Sequence, residues 1–179
     1  MLKIVLVDDE PLTLLHLQNM LKSYDLPIHI CGTATNTKEA LNIIKKTHPN
    51  LIITDIRMGS SNGLDLCEKL KTIMPYIKII IVSGYNDFEY AKRAIKYNVK
   101  DYILKPINHV ELYERICKLN EIIKQDEDQQ ENNLKLRQQI IDCLPMLNDW
   151  FLKIIKNYSY DNTKLAETLK LFNIDILGN

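Results

Sequence analysis

Residues 4–9 read Ile4-Val5-Leu6-Val7-Asp8-Asp9, four apolar side chains in succession followed by two carboxylates. A strand with one face in water would alternate apolar and polar side chains, so an unbroken apolar run indicates a strand that is covered on both faces. The run Ile79-Ile80-Ile81-Val82 repeats this pattern and is followed by Ser83. Both runs therefore predict strands of a parallel sheet that has helices on either side.

The same organisation extends through the first 124 residues. Runs of strand length and composition lie at 2–7, 28–34, 51–54, 77–82 and 100–104. Apolar residues at helical spacing lie between them: behind Pro11, over 37–47, 64–74 and 87–97, and finally over 110–123. Five strand–helix units in a row predict an α/β domain, with a doubly wound, five-stranded parallel sheet.

A change of composition after Ile123 predicts a domain boundary, with one domain over residues 1–124 and a helical segment over 125–179. Residues 125–133 are polar throughout, which is typical of a linker or a solvated helix. Apolar residues then return, and Pro145 predicts a break between two helices, with a third beginning at Asp161-Asn162. The segment is too small for a core of its own, so we expect it to pack on the first domain, on a second copy or on another protein.

Charge and composition exclude some classes of function. Basic and acidic residues number 23 each, so the chain lacks the basic excess of a nucleic-acid-binding protein. Residues 125–179 hold 6 basic against 9 acidic residues, so this segment is not a DNA-binding module by charge. The four cysteines form no Cys-x-x-Cys pair, and the apolar start ends at Asp8, too early for a signal peptide or a membrane span. We therefore expect a cytoplasmic protein with reduced, mostly buried thiols and no membrane association.

Polar side chains stand where four of the five predicted strands end. Asp8 and Asp9 follow the first strand, Asp55 the third, Ser83 the fourth and Lys105 the fifth. Sites in such folds lie at the carboxyl ends of the strands, so we expect these side chains to converge. Three carboxylates without compensation would repel one another. A hard divalent cation with oxygen ligands, Mg²⁺ foremost, would remove that conflict.

Such a site suits transfer of a phosphoryl group to a carboxylate. The metal and Lys105 would neutralise charge on the incoming group, and the Ser83 hydroxyl would contact one of its oxygens. Asp55 is then the nucleophile and forms a mixed acyl phosphate. A lone Asp-Asp pair after a strand is more often a helix N-terminus, and a serine there can simply satisfy backbone groups. Convergence of all five residues at strand ends favours the site.

Over about 120 residues the sequence resembles the response-regulator receiver family, which has a flavodoxin-like fold. The matching motifs are Val7-Asp8-Asp9-Glu10-Pro11, Thr54-Asp55-Ile56-Arg57-Met58, Gly63-Leu64, Val82-Ser83-Gly84 and Tyr102-Ile103-Leu104-Lys105-Pro106. The resemblance implies a phosphoacceptor switch that takes a phosphoryl group from a sensor histidine kinase. Such a switch is no enzyme beyond catalysing its own phosphorylation and slow autodephosphorylation.

The resemblance also assigns roles to individual residues. It implies that Asp8, Asp9, Asp55 and the backbone carbonyl of Arg57 bind Mg²⁺ or Mn²⁺, and that Ser83 and Lys105 contact the phosphoryl group. It further implies a cis Lys105–Pro106 peptide bond and a switching role for Tyr102, which turns inward when Ser83 moves toward the phosphate. Gly59 departs from the family, which usually has proline there, so we expect a more flexible loop before metal or phosphate binds.

A narrower resemblance concerns the output. The stretches at 83–91 and 99–102 resemble receivers of AraC-type transcriptional regulators, and those at 136–141 and 171–175 are similar to the helical linker of such regulators. This resemblance implies a transcription regulator that contacts DNA only through a domain that is not part of this chain, and the apolar residues over 134–155 favour a homodimer. The alternative is a single-receiver adaptor whose helical tail controls assembly with another protein.

Two other classes fit the residues less well. A haloacid-dehalogenase-type phosphatase also uses an aspartyl phosphate, but it has a second aspartate two residues after the nucleophile on the first strand. Here Asp55 is on the third strand, and Arg57 occupies that position. A flavodoxin-like mononucleotide binder needs a phosphate-binding loop after the first strand, where the carboxylates of Asp8-Asp9-Glu10 would repel phosphate.

Overall fold

The computed structural model describes residues 1–59, 61–84, 92, 97 and 99–158. It divides the chain into two units, Met1–Asp126 and Glu127–Asn179. The first unit contains a five-stranded sheet in which every neighbouring pair is parallel. Its strands are β1 (Leu2–Val7), β2 (Ile28–Ala34), β3 (Leu51–Asp55), β6 (Lys78–Ser83) and β7 (Asp101–Leu104), in the spatial order β2-β1-β3-β6-β7. The five predicted strands are confirmed, each within one residue at either end.

Among the described residues, three helices connect these strands: α1 (Pro11–Ser23), α2 (Thr37–Thr47) and α3 (Gly63–Ile73). The sequence explains how the first two of them begin. Pro11 suits the first turn of α1, and the Asn36 side chain caps α2 by accepting a hydrogen bond from the Glu39 amide at 2.9 Å. The helix predicted over 87–97 lies outside the described residues, apart from Lys92 and Tyr97.

The core lies on both faces of the sheet, as the unbroken apolar runs predict. Ile4 and Leu6 pack with residues of α1 and of the C-terminal helix. Val5 and Val7 point to the other face and pack with residues of α2 and α3. Because successive side chains of a strand alternate between faces, four apolar residues in a row serve both halves of the core.

The fourth described helix, α4, runs without interruption from His109 to Tyr158. The prediction that Pro145 breaks it into two helices is therefore wrong. A proline inside a helix removes one hydrogen bond and costs about 3 kcal/mol, yet it need not end the helix when its neighbours favour helical backbone, as Leu144, Met146 and Leu147 do. The polar run at 125–133 belongs to this helix, and every residue from 127 to 150 is exposed. It is thus a solvated helix.

Two further observations bear on the sequence predictions. Only Cys67 of the four cysteines is buried, whereas Cys31 and Cys117 are half-buried and Cys143 is exposed. The expectation of mostly buried thiols is therefore wrong, because Cys143 lies in the exposed part of α4. No helix within the described ranges is both long and apolar enough to span a membrane.

Candidate functional site

The strand order brings the predicted site residues to one edge of the sheet. β1, β3, β6 and β7 are successive neighbours. Their last residues lie almost level, with Val7 beside Thr54 and Ser83 beside Leu104. Asp8 and Lys105 directly follow β1 and β7, while Asp55 and Ser83 are the final residues of β3 and β6. Convergence at the carboxyl edge, as predicted from the strand ends, is what the structure has.

Lys105 joins the two buried carboxylates of this edge. Its Nζ donates to Asp8 Oδ2 at 2.9 Å and to Asp55 Oδ2 at 3.0 Å. Its backbone amide donates to the Ser83 carbonyl at 2.8 Å, which continues the β6–β7 pairing by one residue. The peptide bond between Lys105 and Pro106 is cis, as the family resemblance implies.

Backbone amides hold the remaining carboxylate oxygens. Asp8 Oδ1 accepts from the Glu10 amide at 2.9 Å, and Asp55 Oδ1 accepts from the Ile56 amide at 2.6 Å. Asp8 is 1% exposed and Asp55 9%, whereas Asp9 is exposed. One carboxylate oxygen from each of the three aspartates lies within 4.8 Å of the others. An all-oxygen, anionic donor set of this size fits a hard divalent cation.

Burial and hydrogen bonding shift the pKa values of Asp8 and Lys105 in opposite directions. Burial raises the pKa of Asp8 above its usual range, although the hydrogen bond from Lys105 partly opposes that rise. Burial lowers the pKa of Lys105, but its hydrogen bonds to Asp8 and Asp55 outweigh this effect and leave the pKa raised. Lys105 is therefore held as a cation between two carboxylates.

The segment after Asp55 packs tightly against the site. Strands β4 (Arg57–Met58) and β5 (Ser61–Asn62) form a short antiparallel hairpin. Gly59 has a φ of 53°, a left-handed conformation that proline cannot adopt. This backbone explains glycine at the position where the family usually has proline.

Gly63 is a residue whose role the sequence alone did not reveal. A Cβ atom at this position would lie 1.9 Å from the Asp55 carbonyl oxygen. The Gly63 amide also donates to the Ile56 carbonyl at 2.8 Å, which closes the hairpin onto β3. The family motif contains this glycine, but only the packing shows that the backbone carrying Asp55 leaves no room for a side chain.

The other predicted site residues lie near the same edge. Ser83 is buried, Tyr102 is half-buried beside Ile81, and Arg57 is exposed in β4. Tyr102 packs against the edge of the core on the α2 and α3 face. These positions are compatible with the roles implied by the family, and those roles remain predictions.

An ion pair at the opposite edge was not foreseen. Lys78, the first residue of β6, is 8% exposed, and its Nζ contacts Asp126 Oδ2 at 2.6 Å. A lysine beside an apolar run gives no sign in the sequence of a partner 48 residues away. The pair fixes α4 against the sheet after Ile123, the last buried residue of this helix among those described.

Comparison with known proteins defines the class. The family model described as "Response regulator receiver domain" matches residues 4–117, well over half of the chain. The chain therefore belongs to the response regulator receiver domain family. Receiver domains are phosphoacceptor switches rather than enzymes in the ordinary sense. The receiver motifs quoted from the sequence, from Val7 to Pro106, all lie within the matched range.

Two similar proteins are named as transcriptional regulatory proteins, and this chain matches only part of each. The chain is 39% identical over 123 residues to the uncharacterized transcriptional regulatory protein YesN of Bacillus subtilis, covering 69% of this chain and 33% of YesN. It is 39% identical over 112 residues to the transcriptional regulatory protein HptR of Staphylococcus aureus, covering 63% of this chain and 44% of HptR. The chain thus spans less than half the length of these relatives.

A solved structure agrees with the fold. A CheY-like response regulator receiver domain protein from Methanospirillum hungatei matches with a TM-score of 0.63 and 29% identity, covering 70% of this chain and 98% of that one. The similarity thus covers nearly all of that protein and leaves 30% of this chain unmatched.

Proposed function

We propose that Asp55 accepts a phosphoryl group from a sensor histidine kinase, and that this reaction switches a transcriptional output. The observation that carries the proposal is the single lysine whose Nζ bridges Asp8 and Asp55 at 2.9 and 3.0 Å. An arrangement that served stability alone would not require an exposed third carboxylate beside a buried anion pair. A lysine between two buried carboxylates, with a third carboxylate exposed beside them, suits a site that must receive more negative charge.

Each residue of the site would have a separate role in the phosphoryl transfer. An Asp55 oxygen attacks phosphorus, the bond between phosphorus and the donor histidine nitrogen breaks, and an acyl phosphate forms on Asp55. Lys105 stays protonated and lies beside the oxygens that gain charge, while the buried Ser83 would offer its hydroxyl to one of them. The amide of Ile56 fixes the orientation of the attacking carboxylate.

Asp8, Asp9 and Asp55 would hold Mg²⁺ or Mn²⁺, with the backbone carbonyl of Arg57 as a further ligand. The three side chains fit this role because they offer only oxygen ligands and their ligand atoms lie within 4.8 Å. When bound, the ion would neutralise charge on the phosphoryl oxygens. Asp9 is the most exposed of the three, so it is the carboxylate best placed to admit the ion from solvent.

For the output, we propose an AraC-type transcriptional regulator that acts as a homodimer and contacts DNA through a further domain. Support comes from the printed names of YesN and HptR as transcriptional regulatory proteins, of which the chain matches 33% and 44%. A coding sequence that continues past Asn179 into a basic helix-turn-helix segment would support the regulator, and a stop codon there would favour the adaptor. Within this output, Tyr102 would relay a movement of Ser83 to the surface.

The decisive experiment replaces the acceptor. Asp55→Asn is nearly isosteric, so we expect the fold to persist and labelling by acetyl phosphate or a kinase to disappear. Asp25→Asn is the matched control because Asp25 is exposed just beyond the end of α1. Intact mass should show one added phosphoryl group in the wild type and in Asp25→Asn. Acid-labile label that persists undiminished in Asp55→Asn would refute the assignment.

A further inference from the structure

Thr54 is a buried residue to which the proposed phosphoryl transfer gives no role. It is 1% exposed and follows the apolar run Leu51-Ile52-Ile53 in β3. Its register neighbours are Val7 in β1 and Ile81 in β6, so both adjacent strands place an apolar side chain beside it. Valine has the same shape and buries no hydroxyl, a polar group that costs free energy to bury. Packing in this strand therefore does not require the Thr54 hydroxyl.

The Thr54 hydroxyl holds the peptide group that follows Asp55. Its Oγ1 donates to the Asp55 carbonyl oxygen at 2.9 Å. The N–H of the same peptide group belongs to Ile56 and donates to Asp55 Oδ1 at 2.6 Å. A peptide group is planar, so its C=O and N–H turn together. The hydrogen bond from Thr54 thereby fixes the direction from which the Ile56 amide contacts the carboxylate.

The start of α3 restricts this peptide group on one side. A Cβ atom at Gly63 would lie 1.9 Å from the Asp55 carbonyl oxygen and 3.1 Å from Thr54 Oγ1. The carbonyl oxygen thus lies between the backbone of α3 and the hydroxyl of Thr54. Ile56 is 0% exposed, so no solvent at this residue would replace a hydrogen bond lost from the peptide group. Without the hydroxyl, the peptide group is free to rotate away from α3.

We propose that Thr54 is a positioning residue for the nucleophile, because its hydroxyl holds the Asp55–Ile56 peptide group that orients the Asp55 carboxylate. This inference rests on the proposed phosphorylation of Asp55. The two carboxylate oxygens are held by different groups: Lys105 Nζ donates to Oδ2 at 3.0 Å, and the Ile56 amide donates to Oδ1. A carboxylate that loses the second contact stays bound to Lys105 but can turn about its Cβ–Cγ bond.

The expected effect follows from the geometry of attack on phosphorus. The Asp55 oxygen that forms the new bond must face the donor phosphorus in line, and a misplacement near 1 Å can reduce a rate by about a hundredfold. A carboxylate that Lys105 still holds moves less than this, so loss of the Thr54 hydroxyl should slow phosphorylation by about tenfold. The donor still contacts Lys105 and Ser83, so its apparent affinity should not change.

Three substitutions separate the hydroxyl from the shape of the side chain. Thr54→Val removes the hydroxyl and keeps the branched shape, whereas Thr54→Ser keeps the hydroxyl. Thr47→Val is the matched control, because Thr47 Oγ1 donates to the Ile43 carbonyl at 2.9 Å at the end of α2. With saturating Mg²⁺ and acetyl phosphate, the maximal labelling rate should fall about tenfold in Thr54→Val. The other two variants should stay within about threefold of the wild type, and the acetyl phosphate concentration at half-maximal rate should stay within about twofold in all three.

Hydrogen exchange measures the peptide group without any phosphorylation. The Ile56 amide should exchange at least about tenfold faster in Thr54→Val than in the wild type, since its peptide group is no longer held. Its rate is taken relative to the Asn50 amide, which donates to the Lys3 carbonyl at 2.9 Å at the other end of the sheet, so that a uniform loss of stability cancels. Thr54→Ser and Thr47→Val should leave this ratio within about threefold. A threonine that only stabilises the fold would change both amides alike.

The outcomes separate this inference from the proposed phosphoacceptor. If Thr54→Val is labelled at the wild-type rate, or Thr54→Ser as slowly as Thr54→Val, the positioning role is overturned and the labelled wild type leaves the phosphoacceptor standing. Slow labelling of Thr54→Val with an unchanged Ile56 ratio would also overturn it, because the hydroxyl would not act through this peptide group. A wild type that takes no label, with an Ile56 ratio that still rises in Thr54→Val, would refute the phosphoacceptor and leave the hold of Thr54 on the carboxylate standing.

Discussion

Replacing Gly63 with alanine should damage both the stability and the chemistry of the receiver unit. The added Cβ would lie 1.9 Å from the Asp55 carbonyl oxygen, 3.0 Å from its carbonyl carbon and 3.1 Å from Thr54 Oγ1. The closest of these atoms belongs to the backbone and cannot rotate away. The helix start and the end of β3 must therefore separate by roughly 1 Å before they reach even the shortest contact that real Cβ atoms show, 3.0 Å.

The size of the effect follows from this geometry. Overpacking a well-packed core costs typically 1–3 kcal/mol, and a clash between two backbones should fall near the top, at about 3 kcal/mol. Because the carbonyl that must move belongs to Asp55, its carboxylate should shift relative to Lys105 Nζ, now 3.0 Å away. A misplacement near 1 Å can reduce a rate by about a hundredfold, so phosphorylation by acetyl phosphate should slow markedly.

Two other glycines provide graded controls. A Cβ at Gly84, the residue after Ser83, would meet no atom of the described residues within 4 Å, so Gly84→Ala should unfold like the wild type. A Cβ at Gly32 would meet the Ile43 side chain at 3.0 Å, which can move, so an intermediate loss is expected. Urea unfolding and the phosphorylation rate of all three variants are the measurements. If Gly63→Ala unfolds within 0.5 kcal/mol of Gly84→Ala, the packing argument is wrong.

Two further outcomes concern the metal and a buried tyrosine. Mg²⁺ at ten times its dissociation constant should stabilise the folded chain by about 1.4 kcal/mol. Asp9→Ala should reduce this gain in thermal scans at matched ionic strength, and a phosphorylation rate unaffected by chelator would contradict the metal site. Burial and the nearby Cys117 raise the pKa of Tyr24 to about 12, and its hydroxyl donates to the His109 carbonyl at 2.8 Å. Tyr24→Phe should therefore cost about 1 kcal/mol at pH 8. Because folding raises the pKa of Tyr24, the stability that its hydroxyl contributes is lost as pH rises from 10 toward 12. The difference in unfolding free energy between the wild type and Tyr24→Phe should therefore vanish near pH 11. A difference that stays constant with pH in urea unfolding would refute this account.

The strands, and the meeting of Asp8, Asp55 and Lys105 at one edge of the sheet, could be predicted from sequence because both depend on local patterns. Four successive apolar residues such as Ile4 to Val7 suit a strand that is buried on both faces, and this burial is what the structure has. Parallel strands with right-handed connections have their carboxyl ends at the same edge of the sheet. The sequence therefore predicts that Asp8 and Lys105 lie at one edge. The prediction of a helix break at Pro145 is wrong because a proline disfavours a helix but does not always end it.

The sequence by itself determined the α/β class, the strand positions and the five polar residues that follow or end the strands, since each of these depends on neighbours along the chain. Only the tertiary structure decided that Lys105 lies between Asp8 and Asp55, that Gly63 has no room for a side chain, and that Lys78 meets Asp126. The partners in these contacts are separated by 97, 8 and 48 residues. Strand register and helix packing bring them together, and both are settled by burial of the whole core rather than by any local run of residues.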